Sequence, residues 1–419
     1  MTSLWVARTP LTEPHDRPLT RVDVVGRAVA WPLAIILVLH RIFVLALNGS
    51  VTDDFTTVYS AVRRSLDGVP VYNEIYHHVD PHYLYNPGAT LLLSPLGWLS
   101  NHDAARTAFI IANALAIIAA LGLLTKMFGF SLRSVIWPGA IALAFLTEAV
   151  RNTLIFSNIN GLLLLALVGF LWLLLRGHGW AAGLVIGLAI LIKPQFAPLL
   201  LLPAVKLDWR PVLGGLAVPA VFNVVAWPLV PGASDYLTTL VPYLSEVRDY
   251  ANSSLAGAAV YFGMPTLLEN ALWLLFAAVV AVGVIVLLRW RYTDPLLWAT
   301  TTTGLLLTGV FFLSSLGQMY YSMMLFPMMF TVLQRTSVFH TWTAWLAAFL
   351  FLTPESFHSW RAIDLTRWLD FFHPTLGWGI LLVVITTCAL VWWRSETVDS
   401  THDRLHPDQR RRMAPAPQP

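Results

Sequence analysis

Long apolar runs separated by short polar stretches dominate the chain. Read against the roughly 20 residues a helix needs to cross a bilayer, they fall at about 28–47, 104–125, 134–150, 159–175, 181–193, 195–205, 211–230, 266–288, 295–315, 319–334, 340–353 and 376–393. The short alternating segments of a membrane β-barrel are absent. The pattern therefore predicts an all-α polytopic membrane protein. One step is ambiguous: 181–205 reads either as one helix or as two short ones broken at Lys193-Pro194-Gln195. Proline with a lysine before it in mid-run favours the break. Residues 89–100 are apolar but too short to cross, and are expected to be interfacial or re-entrant.

Basic residues arbitrate the topology. With a broken pair, Arg8, Arg17, Arg21, Arg27, Lys126, Arg133, Arg176, Lys206, Arg210, Arg289, Arg291, Arg335 and the arginines from Arg394 onward share one side. The positive-inside rule makes that side cytoplasmic; an unbroken helix would move Lys206, Arg210, Arg289 and Arg291 outside. About twelve crossings or near-crossings follow, with both termini cytoplasmic. The chain divides into a cytoplasmic tail over 1–27, a transmembrane domain over 28–393, and a Pro- and Arg-rich tail over 394–419 expected to be disordered. The first span is too long for a signal-peptide core, and Ala46-Leu47-Asn48 is a poor cleavage site, so it reads as uncleaved.

Three outer loops stand out, at 48–103, 231–265 and 354–375. Each carries an amphipathic stretch: Phe55, Val58, Tyr59, Val62 and Leu66; Tyr236, Leu237, Leu240 and Leu244; Phe357, Trp360, Ile363 and Trp368. Helices of this kind lie in the membrane interface. Composition adds little to the picture. Of 419 residues 57% are hydrophobic and 12% charged, about half the charge of a soluble domain. A net charge of +3 is too small to imply nucleic-acid binding. Cys388 is the only cysteine, which excludes an internal disulfide.

Candidate chemistry concentrates in the outer segments. Asp53 and Asp54 follow the first span at the start of an amphipathic helix. Helix capping by Thr52 or Asp53 explains one acid; a general base taking a proton from a hydroxyl would explain the other. Lys193, in the broken hairpin, reads either as a snorkelling lysine or as a cation for a lipid phosphate. The same two readings apply to Arg41. Glu148 and Arg151, three apart, suggest a local ion pair. In the second loop, Arg248 could bind phosphate, and Asn252 or Ser253 sugar hydroxyls, unless the stretch is an ordinary solvated turn. Asn158 and Asn160 either cap a span or line a pocket. Gln318 and Tyr320 lie in another outer turn, where tyrosines serve as interfacial belts or as sugar-stacking faces. His77, His78 and His82 lack a pattern convincing for zinc. No P-loop, dinucleotide fingerprint, metal-ligand cluster or repeat is present.

Several of these stretches carry a resemblance. Asp54-Phe-x-x-Val-Tyr59-x-Ala61, Tyr85-x-Pro87, Asn158-Ile-Asn160-Gly-Leu-Leu and Leu-x-Ile-Lys193-Pro194 resemble landmarks of the polyprenyl-phosphate-dependent GT-C glycosyltransferases. Asn48-Gly-x-x-Thr52-Asp53-Asp54-Phe, Tyr72-Asn73-Glu74, Val79-Asp80-Pro81-His82-Tyr83-Leu84-Tyr85, Arg248-Asp-Tyr250-x-Asn252-Ser253-Ser254 and Tyr320-Tyr321-Ser-Met-Met-Leu-Phe-Pro327 resemble the actinobacterial arabinofuranosyltransferases among them. The likeness runs from about residue 30 to 393. It implies a GT-C fold and an inverting α-(1→3)-arabinofuranosyltransferase of the plasma membrane. The implied donor is decaprenylphosphoryl arabinofuranose and the implied acceptor the arabinan of arabinogalactan or lipoarabinomannan, met on the outer face. Two departures are visible. Asp54 lies five residues before Tyr59 where the wider family spaces four, which leaves Asp53 and Asp54 as alternative bases. Gln318 or Tyr320 stands where many relatives have histidine.

On this reading Asp54 is the base, and Asp53 orients the acceptor or caps the helix. Lys193, Arg248, Arg63 and Arg41 are phosphate candidates. Tyr85, His82, Asn158, Asn160, Asn252, Ser253, Gln318 and Tyr320 are candidates for the sugar or acceptor. A monophosphate donor demands no metal or other cofactor, although two adjacent acids could hold one. A polyprenyl-phosphomannose mannosyltransferase and a lipid or sugar transporter are the rival readings.

Overall fold

The computed structural model describes residues 20–49, 53–76, 81–357 and 359–405, and every regular element among them is helical. The first helix, α1 (Arg21–Leu39), begins at a reciprocal capping box between Thr20 and Asp23 and runs on into the π-helical turns His40–Ala46. Next come α2 (Asp54–Leu66), α3 (Pro87–Leu93) with a 3-10 extension Ser94–Trp98, α4 (His102–Met127), α5 (Ile136–Leu146), α6 (Glu148–Ile155), α7 (Asn160–Leu175) and α8 (Gly179–Ile192). The 3-10 segment Pro194–Leu200 leads to α9 (Leu201–Ala204) and α10 (Trp209–Leu229). The second half holds α11 (Val241–Ser245), α12 (Leu255–Phe262), α13 (Thr266–Leu287), α14 (Pro295–Leu313), a largely 3-10 stretch Met319–Leu333 containing α15 (Phe326–Met329), α16 (Trp342–Leu352) and α17 (Ile363–Leu405).

Six of these helices, including extensions, are long and apolar enough to cross a membrane: Arg21–Ala46, His102–Met127, Trp209–Leu229, Thr266–Trp290, Pro295–Leu313 and Ile363–Ser395. Six further apolar helical segments are shorter. Burial sorts the long ones. Only 11% of the apolar window is buried in α1, α10 and α13, against 83% in α14. Exposed side chains such as Val224, Leu267 and Ile285 would be costly in water but match lipid. The chain is thus a multi-pass membrane protein with α14 at its centre and α1, α10 and α13 facing the bilayer.

The ambiguous run breaks where proline demands it. α8 ends at Ile192, Lys193 is extended (φ −132°, ψ 102°), and Pro194 starts a 3-10 turn. The break strands the carbonyl of Leu191, and the side chain of Asn86 donates to it at 2.6 Å. Asn86 also caps α3, accepting from the Ala89 amide at 3.0 Å. α3 lies directly on α10: a Cβ at Gly88 would stand 2.8 Å from the backbone nitrogen of Asn223, whose side chain accepts the Gly88 N–H at 3.0 Å. The short apolar stretch after Pro87 is therefore pinned to both sides of the break.

Three expectations change. The run 134–150 is not one helix: Thr147 adopts extended backbone, caps α6 and separates it from α5. The amphipathic segment around Ile363 is not a separate interfacial helix, because α17 is continuous from Ile363 through the last span. That helix also continues to Leu405, inside the segment from 394 expected to be disordered. The rest of that tail, Arg8, Arg17, the Thr52 capping alternative, His77, His78 and Asp80 lie outside the described residues.

Candidate active site

The two adjacent acids have different surroundings. Asp53 is the N-cap of α2: one carboxylate oxygen accepts from the Thr56 amide at 2.8 Å and the Thr56 hydroxyl at 2.9 Å. Its other oxygen accepts from Arg106 Nε at 2.6 Å, and both side chains are buried. Arg106 also donates to the Ala46 carbonyl at 3.1 Å, joining the end of the first span to α2 and α4. Both oxygens of Asp53 are thus committed to holding the backbone. Asp54, one residue on, turns into a different space. Its amide donates to the Phe156 carbonyl at 3.1 Å and one carboxylate oxygen accepts from the Asn158 side chain. Among the described residues its second oxygen has no hydrogen-bond partner.

That space is a cavity of about 880 Å³ walled by Asp54, Tyr85, Asn158, Lys193, Arg248, Gln318 and Tyr320 among others. Its wall comes from the first-loop segment, α6 and the loop after it, the break after α8, the 243–253 segment, the turn after α14 and the start of α17. A hydrogen-bonded chain connects acid to cation. Asn158 donates to Asp54 and accepts from the Asn160 amide at 3.0 Å, while Asn160 Oδ1 accepts from Lys193 Nζ at 2.7 Å. Lys193 also lies over the Tyr321 ring, 4.5 Å from its centroid. The Arg248 guanidinium faces the rings of Tyr243 and Tyr250 at 5.8 and 6.0 Å, with no hydrogen bond or ion pair among the described residues. Burial pushes the Asp54 carboxyl above the ordinary carboxylate range; the Asn158 hydrogen bond and the charges of Lys193 and Arg248 pull the other way without winning. Two cations beside one raised, half-committed carboxylate suit a reaction in which an anion departs while a hydroxyl loses its proton.

The loop that aims Asn158 is itself constrained. Ser157, buried at the C-terminal end of α6, has φ 49°, in the left-handed region where glycine is usual. Across the cavity, the Asn252 side chain makes four hydrogen bonds. It donates to the carbonyls of Arg248 (3.1 Å) and Ser315 (2.8 Å), and accepts from the amides of Ser254 (3.2 Å) and Gly317 (2.9 Å). It ties the Arg248 loop to the turn after α14.

Most of the predicted residues meet at this cavity, but not all. Asp53, Asp54, Lys193, Arg248, Tyr85, His82, Asn158, Asn252, Ser253, Gln318 and Tyr320 all contribute to its wall. Asn160 sits behind it, gripping Lys193. Arg63 donates to the Gly97 carbonyl at 3.0 Å, and Arg41 to the Phe145 carbonyl at 2.9 Å; neither contributes to the wall. His82 contacts Glu74 at 3.4 Å, and Glu74 is in turn held by Arg64. Glu148 pairs with Asn152 rather than with Arg151. Sequence reasoning passed over Arg106, whose partner lies 53 positions away, and Gln195, Tyr243 and Glu246 in the wall. Among the described residues no group of three or more His, Cys, Asp or Glu side chains is placed to hold a metal.

Comparison with known proteins shows the family of the chain. Residues 83–315 match the model of glycosyltransferase family 87. The chain is 60% identical over 397 residues to an α-(1→3)-arabinofuranosyltransferase of Corynebacterium glutamicum, covering 92% of this chain and 95% of the relative. It is 45% identical over 364 residues to the enzyme of the same name from Mycolicibacterium smegmatis, covering 86% and 84%. The Mycobacterium tuberculosis enzyme of that name is likewise 45% identical over 368 residues, covering 86% and 84%. The chain belongs to glycosyltransferase family 87, in the group whose curated members are α-(1→3)-arabinofuranosyltransferases.

Proposed function

We propose that this protein moves arabinofuranose from decaprenylphosphoryl arabinofuranose onto cell-wall arabinan, forming α-(1→3) branches by a single inverting displacement. Asp54 takes the proton from the acceptor hydroxyl as its oxygen attacks the anomeric carbon. The bond from that carbon to the phosphate oxygen breaks, and the electron pair leaves with decaprenyl phosphate, which Lys193 and Arg248 hold. One displacement converts a β-linked donor to an α-linked product. A lipid monophosphate is a sufficient leaving group near neutral pH, so no metal or general acid is required. The polypeptide crosses the membrane about twelve times with both termini in the cytoplasm, which puts Asp54 on the outer face, level with a lipid-linked sugar. The carrying observation is the half-committed Asp54 carboxylate in a cavity with two cations.

Purified protein in liposomes, given decaprenylphosphoryl arabinofuranose and a linear arabinan oligosaccharide, is expected to yield α-(1→3)-branched product by linkage analysis. A matched mannosyl donor is expected to yield none. Transfer from the mannosyl donor alone would move the protein to the mannosyltransferase reading, and transport without any glycosidic product to the transporter reading.

A further inference from the structure

Besides Asp53 and Asp54 the cavity wall carries Glu148, Glu246 and Asp370, and Glu148 has no part in the chemistry above. Glu148 opens α6 and contributes to the cavity wall while only 7% exposed. One of its oxygens accepts from the Asn152 side chain at 2.6 Å; the other is buried with no hydrogen-bond partner among the described residues. A buried carboxylate oxygen left unpaired is costly, and a native protein keeps such a group where it has a role or where water, an ion or a ligand supplies the missing donor. Helix capping does not explain it, because Thr147 already caps α6. Nor does an ion pair with Arg151, since none forms.

Its place in the cavity says which ligand. A hydrogen-bonded chain ties Lys193 to Asp54 through Asn160 and Asn158, whereas among the described residues neither Lys193 nor Arg248 makes a hydrogen bond or ion pair with Glu148. The cavity wall therefore has a cationic end, tied to Asp54, and an end at Glu148 to which neither cation is bonded. Tyr320, on the segment packed against α6, lies within electrostatic range of both carboxylates. An anionic phosphate belongs at the first end. The second offers an acceptor oxygen to a neutral ligand rich in hydroxyl groups. In an in-line displacement the acceptor approaches from the side opposite the leaving phosphate, so the acceptor glycan is the partner that reaches Glu148.

We infer that Glu148, held by Asn152, binds a non-reacting hydroxyl of the arabinan acceptor and so positions the chain for Asp54. This rests on the arabinosyl-transfer reading, and wild-type transfer to the unmodified oligosaccharide checks that reading first. The test uses liposome-reconstituted full-length protein and a series of arabinofuranosyl oligosaccharides, each lacking one hydroxyl. Glu148→Gln is expected to raise the acceptor KM about tenfold or more, leaving the donor KM within about twofold. One deoxy acceptor is expected to lose a similar factor with wild-type protein and nothing further with Glu148→Gln. A rise in donor KM instead, a fall in kcat alone, or equal sensitivity of wild type and variant to every deoxy acceptor would overturn the assignment. If Glu148→Gln does not fold, Asn152→Ala, which releases the carboxylate from its one partner, is expected to give the same acceptor KM rise and the same blunted deoxy response. An unchanged acceptor KM there would overturn it equally.

Discussion

At the scale of single residues, the adjacent acids should part company in two assays. Asp54→Asn removes a desolvated charge that folding disfavours, so thermal unfolding is expected at the same temperature or higher. Turnover should fall by about a hundredfold or more, as for loss of a general base. Asp53→Asn leaves Arg106 buried without its partner, a loss on the order of 3–5 kcal/mol, and should unfold early. The double variant Asp53→Asn/Arg106→Gln should recover part of that stability. Were Asp53→Asn the inactive, stable variant and Asp54→Asn the labile, active one, the roles would be reversed. The pH profile follows from the same burial. Asp54 acts deprotonated and its pKa is raised, so kcat/KM should be full above the shifted value and fall as pH drops through it. The acid limb then lies above the range of an ordinary aspartate. Sequence alone showed a pair of acids with one cap to supply, and the amphipathic stretch after Phe55 located the helix they begin. It preferred Asp54 without deciding between them, because the deciding partners, Arg106 and Asn158, come from segments 53 and 104 positions away.

At the scale of elements, the break between α8 and the Pro194–Leu200 turn delivers Lys193 to the cavity, because an unbroken helix would keep that backbone helical. Lys193→Met should raise the donor KM with little change in the acceptor KM; equal changes in both would point to a collapsed cavity. Asn252→Ala should lower the melting temperature and raise both KM values, since its four hydrogen bonds join two parts of the wall. Proline made the broken hairpin legible in the sequence. The division of 134–150 into α5 and α6 was not legible, for no proline or glycine marks Thr147. Nor was the union of the last outer segment with the final span, since a change from amphipathic to apolar composition looks alike whether the backbone stops or continues.

For the molecule as a whole, apolar periodicity sufficed to predict a helical membrane protein, and the order of short motifs to suggest its family. Which helix faces lipid required packing, because α13 and α14 are both apolar enough to cross. The lone cysteine simplifies a topology test. In a Cys388→Ala background, single cysteines at exposed Ile75 and at exposed Leu207 should react with a membrane-impermeant reagent from opposite sides of sealed vesicles. Labelling of both from one side would overturn the proposed path of the chain, irrespective of any measured activity.

Ser157 carries a consequence for engineering. It occupies a left-handed turn that glycine would occupy without strain, so Ser157→Gly should gain up to about 1 kcal/mol of stability. The same change frees the joint that aims Asn158 at Asp54, and turnover should fall. Variants chosen for heat resistance would be drawn to this position and would give up rate for it, so that robustness and speed compete at a residue that never meets the sugar.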